Sequence, residues 1–175
     1  MNTVKKILST LLGVIVLAEL LLENVHAAFE EEYNDSNVIS VGWNHTAVVD
    51  SNYVLWTWGD NETGQLGNGG GGNEWSEIYG MYYQTVPIPV MNDVCAVSCG
   101  ECYTAVIKTD GSLWTWGSNQ YKAFAIFDGE QFAGCLGNGT VKDSLVPQKI
   151  LDNVVSISCG EGHMAAITAD KKLWI

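Results

Sequence analysis

Apolar and polar positions alternate along the chain in short runs, and the order of the runs recurs. Val94-Cys95-Ala96-Val97-Ser98 leads through Gly100 to Thr104-Ala105-Val106-Ile107-Lys108-Thr109, turns at Asp110-Gly111 and continues as Ser112-Leu113-Trp114-Thr115-Trp116. Two β-rich runs around a short turn predict a hairpin, and Asp-Gly suits that turn because glycine takes positive φ without a Cβ clash. Val38-Ile39-Ser40-Val41 opens an earlier copy, which breaks at Asp50-Ser51-Asn52 and resumes at Tyr53-Val54-Leu55-Trp56. A later copy runs from Val154-Val155-Ser156-Ile157-Ser158 through a turn at Asp170-Lys171 to Leu173-Trp174-Ile175. Helical periodicity is lacking outside the N-terminal segment, since Ala123 to Phe127 is too short and too near Gly129. The pattern predicts an all-β chain.

The copies share more than hydropathy. Leu55-Trp56-Thr57-Trp58-Gly59-Asp60-Asn61 returns as Leu113-Trp114-Thr115-Trp116-Gly117-Ser118-Asn119, with a period of 58 residues (116 − 58). Gly42, Gly100 and Gly160 align at separations of 58 and 60 residues (100 − 42, 160 − 100), and with them His45, Tyr103 and His163. Each complete Trp-Gly is followed by a second tag, Gly64-Gln65-Leu66-Gly67-Asn68-Gly69 or Gly134-Cys135-Leu136-Gly137-Asn138-Gly139. Then comes a proline-bearing run, Val86 to Val90 or Val146 to Ile150. The copies differ mainly by insertions, at Gly70 to Tyr83 and at Tyr121 to Phe132, and both are read as loops because loops absorb extra residues at small entropic cost. The units are residues 38–93, 94–153 and an incomplete 154–175. Each is expected to form a small antiparallel sheet of about four strands that buries both faces only by stacking on a neighbour, as a propeller blade does.

The N-terminus departs from this plan. Lys5-Lys6 precede an apolar run from Ile7 to Ala18, and Val25-His26-Ala27 supplies small residues before a cut at Ala28, so residues 1–27 read as a helical signal peptide. An uncleaved membrane anchor is the rival reading, although Glu19 and Glu23 interrupt the run. Residues 28–37, with Glu30-Glu31-Glu32, read as an acidic linker.

The net charge is −12, and all 8 cations are lysines. An acidic chain without arginine is poorly suited to neutralise phosphates or read base edges, so no nucleic-acid partner is expected. After signal cleavage no stable membrane association is expected either. The 5 cysteines, Cys95, Cys99, Cys102, Cys135 and Cys159, leave at least one thiol unpaired within a monomer. Cys99 and Cys159 hold the same place in successive units, which points to small buried residues rather than to metal or redox chemistry.

Several candidate sites reduce to structure. His45 and His163 recur at a place that Tyr103 fills in the middle unit, which suits a hydrogen bond to a neighbouring turn better than a metal ligand or a general base. Asp60-Asn61-Glu62-Thr63-Gly64 lacks the donor spacing of a calcium loop, and the glycine tags lack the lysine of a phosphate loop. The Trp56/Trp58 and Trp114/Trp116 pairs alternate between sheet faces, which favours packing between blades. Asn44-His45-Thr46, Asn61-Glu62-Thr63 and Asn138-Gly139-Thr140 are formal glycosylation acceptors. No constellation names a reaction, so catalytic, cofactor and metal residues are all expected to be absent. The insertion Asn73 to Tyr83 is aromatic and acidic, and Trp75, Tyr79, Tyr82 and Tyr83 are the candidate binding residues. A loop packed on its own blade is the competing reading.

Gly42-x-x-His45-Thr46, Asp110 to Gly117, Trp58 to Gly69 and the following Val-Pro together resemble the regulator of chromosome condensation repeat, from about Val38 to the last residue. The resemblance implies a closed propeller of about seven blades. Against that, two full units and part of a third amount to a partial propeller, which leads to the expectation of a truncated frame, or else of self-association through open blade edges. The resemblance allows a secreted or cell-surface interaction module that binds a protein or glycan, as in extracellular bacterial members of the family that include a β-lactamase inhibitor. Its alternatives are nucleotide exchange on a small GTPase, and accessory repeats of a longer extracellular enzyme.

Overall fold

A computed structural model describes residues 38–78, 80–121 and 132–175. The segments read as signal peptide and acidic linker lie outside the described residues, as do Tyr79 and most of the second insertion. The described residues contain strands, turns and bends but no helix, and every strand pair is antiparallel.

The first sheet joins β1 (Ile39–Val41), β2 (His45–Val49), β3 (Leu55–Asp60), β4 (Glu74–Ser76) and β5 (Met81–Met91) in the order β1-β2-β3-β5-β4. The second joins β6 (Val94–Cys99), β7 (Tyr103–Lys108), β8 (Leu113–Gly117) and β11 (Ser144–Leu151), with a short ribbon of β9 (Gln120–Tyr121) and β10 (Phe132–Ala133) beside it. The third contains β12 (Val154–Cys159), β13 (Met164–Thr168) and β14 (Leu173–Trp174). These sheets are two blades and part of a third. The prolines of β5 follow from the topology. Among the described residues β5 pairs with β4 only over Met81–Tyr83 and beyond that with β3 alone, so Pro87 and Pro89 lie on an edge strand, where proline is tolerated.

Stacking supplies the core. Ala47, Val49 and Leu55 of the first sheet meet Val94, Val97, Val106 and Trp116 of the second. Across the next interface Ala105, Ile107 and Leu113 meet Val154, Ile157 and Ala166. Each buried Val, Leu or Ile contributes about 1.5–3 kcal/mol, so each sheet draws much of its stability from its neighbour's apolar face. Strand patterns record the difference between one neighbour and two. In β2 only alternate residues are buried, whereas in β7 every residue from Tyr103 to Ile107 is buried. Ile39 and Val41 of the first sheet, and Val155, Ile167 and Leu173 of the third, stand exposed.

The first insertion differs from the loop expected of it. Gly80 turns the chain at φ 67°, and β4 pairs with the start of β5 in the register Glu74↔Tyr83, Trp75↔Tyr82, Ser76↔Met81. The inserted residues therefore extend the outer strand into a ribbon. Trp75, Tyr82 and Tyr83 suit a pleated surface, and the ladder satisfies their backbone groups.

Candidate interaction surface

The repeated tags hold one another by side-chain to backbone bonds, and they do so identically in both complete blades. Thr57 Oγ1 donates to the Leu66 carbonyl at 3.0 Å, and Thr115 Oγ1 donates to the Leu136 carbonyl at 2.8 Å. Asn61 Oδ1 accepts from the Leu66 amide at 3.0 Å, and its Nδ2 donates to Asn68 Oδ1 at 2.8 Å. Asn119 repeats this with Leu136 at 2.9 Å and Asn138 at 3.1 Å. Trp-Thr-Trp-Gly-x-Asn and Gly-x-Leu-Gly-Asn-Gly thus occur together because the first clamps the backbone of the second. Asn61 is consequently unsuited to carry a glycan: it is buried, and its Nδ2 also donates to the Gly71 carbonyl.

The aligned histidine and tyrosine tie each blade to the next. His45 is buried, and its Nε2 lies 3.0 Å from Thr104 Oγ1. That hydroxyl donates its one proton to the Gln65 carbonyl at 2.8 Å, so Nε2 is the donor and Nδ1 is the unprotonated nitrogen. Among the described residues Nδ1 is buried and makes no hydrogen bond. Burial holds the His45 pKa down, from 6.5 to about 4, against a smaller opposing effect of a backbone bond at Tyr103. In the second blade the Tyr103 hydroxyl shares its one proton between the carbonyls of Gly160 and His163. The glycine three residues earlier makes room for each ring: a Cβ on Gly42 would lie 2.2 Å from His45 Cε1, and one on Gly100 would lie 1.9 Å from Tyr103 Cε1. The partner is the next blade, some sixty residues away in sequence, rather than a turn nearby.

The cysteines belong to the same stitching. The Cys99 amide donates to Ser40 Oγ at 2.9 Å and the Cys159 amide donates to Ser98 Oγ at 3.0 Å. Their thiols donate to the carbonyls of the same serines at 3.6 and 3.4 Å. Burial pushes Cys99 up to about 12 and Cys159 to about 11. All five cysteines are free thiols. Among the described residues no group of three or more His, Cys, Asp or Glu side chains is placed to hold a metal ion.

Two surface features stand out among the described residues. The ribbon brings together Trp75 and Tyr82, which pack edge to face with ring centroids 4.8 Å apart. They stay 50% and 49% exposed, so the pair contacts solvent rather than a blade. Tyr83 is half-buried and pairs through its backbone with Glu74 and Asp60, whereas Tyr79 lies outside the described residues.

The second surface is an acidic cleft of about 200 Å³, lined by Glu62, Glu101, Asp143 and Glu161 around Cys102 and Tyr103. It forms where the loops between first and second strands stack, with the Trp43 amide donating to the Glu101 carbonyl and the Glu101 amide to that of Glu161. Burial, and then the neighbouring Glu161, raise the Glu101 carboxyl. Burial and the carboxylates of Glu101, Asp60, Glu62 and Asp143 push the Cys102 thiol up to about 12. The sequence carries one sign of this cleft: Gly-Glu follows the cysteine in both Cys99-Gly100-Glu101 and Cys159-Gly160-Glu161.

Antiparallel blades of this kind, stacked and stitched through recurring tags, define a β-propeller repeat protein. The chain belongs to the regulator of chromosome condensation (RCC1) repeat family, whose repeat models match residues 54–107 and 129–167, and 38–65 and 94–122. Over 141 residues it is 30% identical to the ultraviolet-B receptor UVR8 of Arabidopsis thaliana, an overlap of 78% of this chain and 28% of the receptor. It is 25% identical over 138 residues to the human E3 ubiquitin-protein ligase HERC2, covering 69% of this chain and 2% of the ligase. Among solved structures, Prp20p of Saccharomyces cerevisiae superposes with a TM-score of 0.54 at 17% identity, over 73% of this chain and 30% of that one. Human WBSCR16 gives 0.53 at 20%, over 74% and 30%. At such identities the superpositions bear on the fold alone. The chain spans less than a third of each of these relatives.

Proposed function

We propose that this chain is a non-enzymatic interaction module, secreted or displayed at the cell surface, that binds a protein or glycan partner through the ribbon β4–β5. The observation that carries the reading is the exposed Trp75–Tyr82 pair, held on a sheet extension rather than on a free loop. Exposed aromatic rings on a rigid support supply large contact area at low entropic cost, and they stack on sugars and peptides alike. Two related solved structures support a protein partner: Prp20p binds Gsp1p and histones, and yeast RCC1 is seen in complex with Kap60. Export is supported by the lysine pair, apolar run and small residues of the first 27 positions. Exchange activity on a small GTPase and service to a longer extracellular enzyme are the competing readings, and the ribbon requires neither.

The test compares the full chain with a Trp75→Ala/Tyr82→Ala double variant on a glycan array and against immobilised extracellular proteins. Loss of about tenfold or more in affinity is expected for at least one ligand with an unchanged fold, the effect of removing an aromatic hot spot. Undiminished capture refutes the ribbon as the site. Fusion of residues 1–27 to alkaline phosphatase tests export separately, with an inactive fusion counting against secretion. Exposed Ile39, Val41, Val155 and Leu173 favour self-association as an additional reading, and sedimentation at rising concentration decides it.

A further inference from the structure

The described residues contain two Asn-Gly pairs, Asn68-Gly69 and Asn138-Gly139, at the same place in the two glycine tags. Asn-Gly is the dipeptide most open to succinimide chemistry, because glycine offers no side chain to hinder attack by its own backbone nitrogen. The two side chains are held alike. Asn68 Oδ1 accepts from Asn61 Nδ2 and from the Gly70 amide, and Asn138 Oδ1 accepts from Asn119 Nδ2 and from the Thr140 amide. Gly69 and Gly139 both have positive φ, 93° and 70°, and both are exposed.

The nucleophiles differ. The Gly69 amide donates to the carbonyl of Leu145, on the outer strand of the following blade, at 3.0 Å. Among the described residues the Gly139 amide meets no hydrogen-bond acceptor. The third Asx-Gly pair of the described residues, Asp110-Gly111, resembles the first: its glycine amide donates to the Lys108 carbonyl at 2.8 Å. Around Asn138 the side-chain carbonyl also accepts from Thr140 Oγ1 at 2.8 Å, so three donors face the oxygen on which negative charge develops during attack.

We infer that Asn138 is a site of spontaneous deamidation and that Asn68 is shielded from it by the neighbouring blade. The Gly139 amide gives its proton to a solvent base, and its nitrogen forms a bond to Asn138 Cγ. The Cγ–Nδ2 bond then breaks, and ammonia leaves with a proton taken from solvent. Water opens the resulting succinimide at either carbonyl, leaving aspartate or isoaspartate at position 138. Neither product keeps the Nδ2 donor that bonds Gln148 Oε1 at 3.1 Å. Isoaspartate also lengthens the backbone inside the turn that presents the Leu136 carbonyl to Thr115, so modification loosens the second tag.

Peptide mapping by mass spectrometry of the full chain, aged in mildly alkaline buffer with and without denaturant, tests this. In the folded chain Asn138 is expected to deamidate about fivefold or more faster than Asn68, roughly the factor that one neutral hydrogen bond on the attacking amide supplies. In denaturant the difference is expected to collapse. Equal folded rates, a faster Asn68, or an Asn138 that is inert when folded would each overturn the inference. So would a preference of the same size in denaturant, which would assign it to local sequence rather than to the blade.

Discussion

Acidification should weaken this fold through His45. Its pKa is held from 6.5 down to about 4 in the folded chain, mainly by burial. Nε2–H is committed to Thr104, so a second proton must go to the buried Nδ1, which makes no hydrogen bond among the described residues, and the backbone at Tyr103 offsets only the smaller part of the burial cost. Between these two pKa values the unfolded chain binds more protons than the folded one. Stability contributed by the neutral ring is therefore complete above about pH 6.5 and is lost progressively as the pH falls towards about 4. The full shift corresponds to about 3 kcal/mol, of which about 2 kcal/mol is lost between about pH 7 and pH 5. Carboxylates titrate in the same range, so the informative quantity is a difference between variants. The middle blade supplies the comparison: Tyr103 fills the equivalent place with a side chain that stays neutral throughout. Urea unfolding followed by tryptophan fluorescence should show a His45→Tyr variant losing about 2 kcal/mol less than the parent on going from about pH 7 to pH 5. Parallel losses in the two proteins, or NMR titration of the His45 ring near its unperturbed value, would refute the reasoning.

Three further outcomes follow from the same contacts. Gly100→Ala should lower the urea midpoint, with a cost of about 1–3 kcal/mol or more, because the new methyl occupies the space of the Tyr103 ring; an unchanged midpoint contradicts that packing. Thr104→Val leaves His45 Nε2 and the Gln65 carbonyl without the hydroxyl between them and should destabilise by about 2–3 kcal/mol, measured by the same unfolding curves. Cys102, with its pKa pushed up to about 12 by burial and the surrounding carboxylates, should be alkylated by iodoacetamide far more slowly than a free cysteine at about pH 8. A rate matching that of the denatured chain would show that the acidic cleft does not suppress the thiolate.

Much of this protein can be read from its residues in order. Strand alternation is a period-two signal carried within a few positions, so the hairpins around Asp50 to Asn52 and Asp110-Gly111 appear where the pattern puts them. Recurrence then identifies the blade, because Trp-Thr-Trp-Gly and Gly-x-Leu-Gly-Asn-Gly return together. The glycine before His45 and before Tyr103 is legible as a paired position, although its reason, the space for a ring three residues on, is not.

The rest depends on contacts between units. Gln65 looks like a variable position in a tag, yet its carbonyl accepts from both Thr104 Oγ1 and Trp116 Nε1 of the next blade. Glu62, Glu101, Asp143 and Glu161 are scattered through three repeats and share a cleft only because the loops stack. Trp75 and Tyr82 lie in an insertion with no repeat to align, and only the ladder between β4 and β5 sets them opposite one another. The sequence by itself determined the blade, since its hydrogen bonds and alternating faces are largely local. Tertiary structure decided what each blade does for its neighbour, including which Asn-Gly amide is covered, because a donor in one repeat meets its acceptor only after the sheets have buried each other's apolar faces.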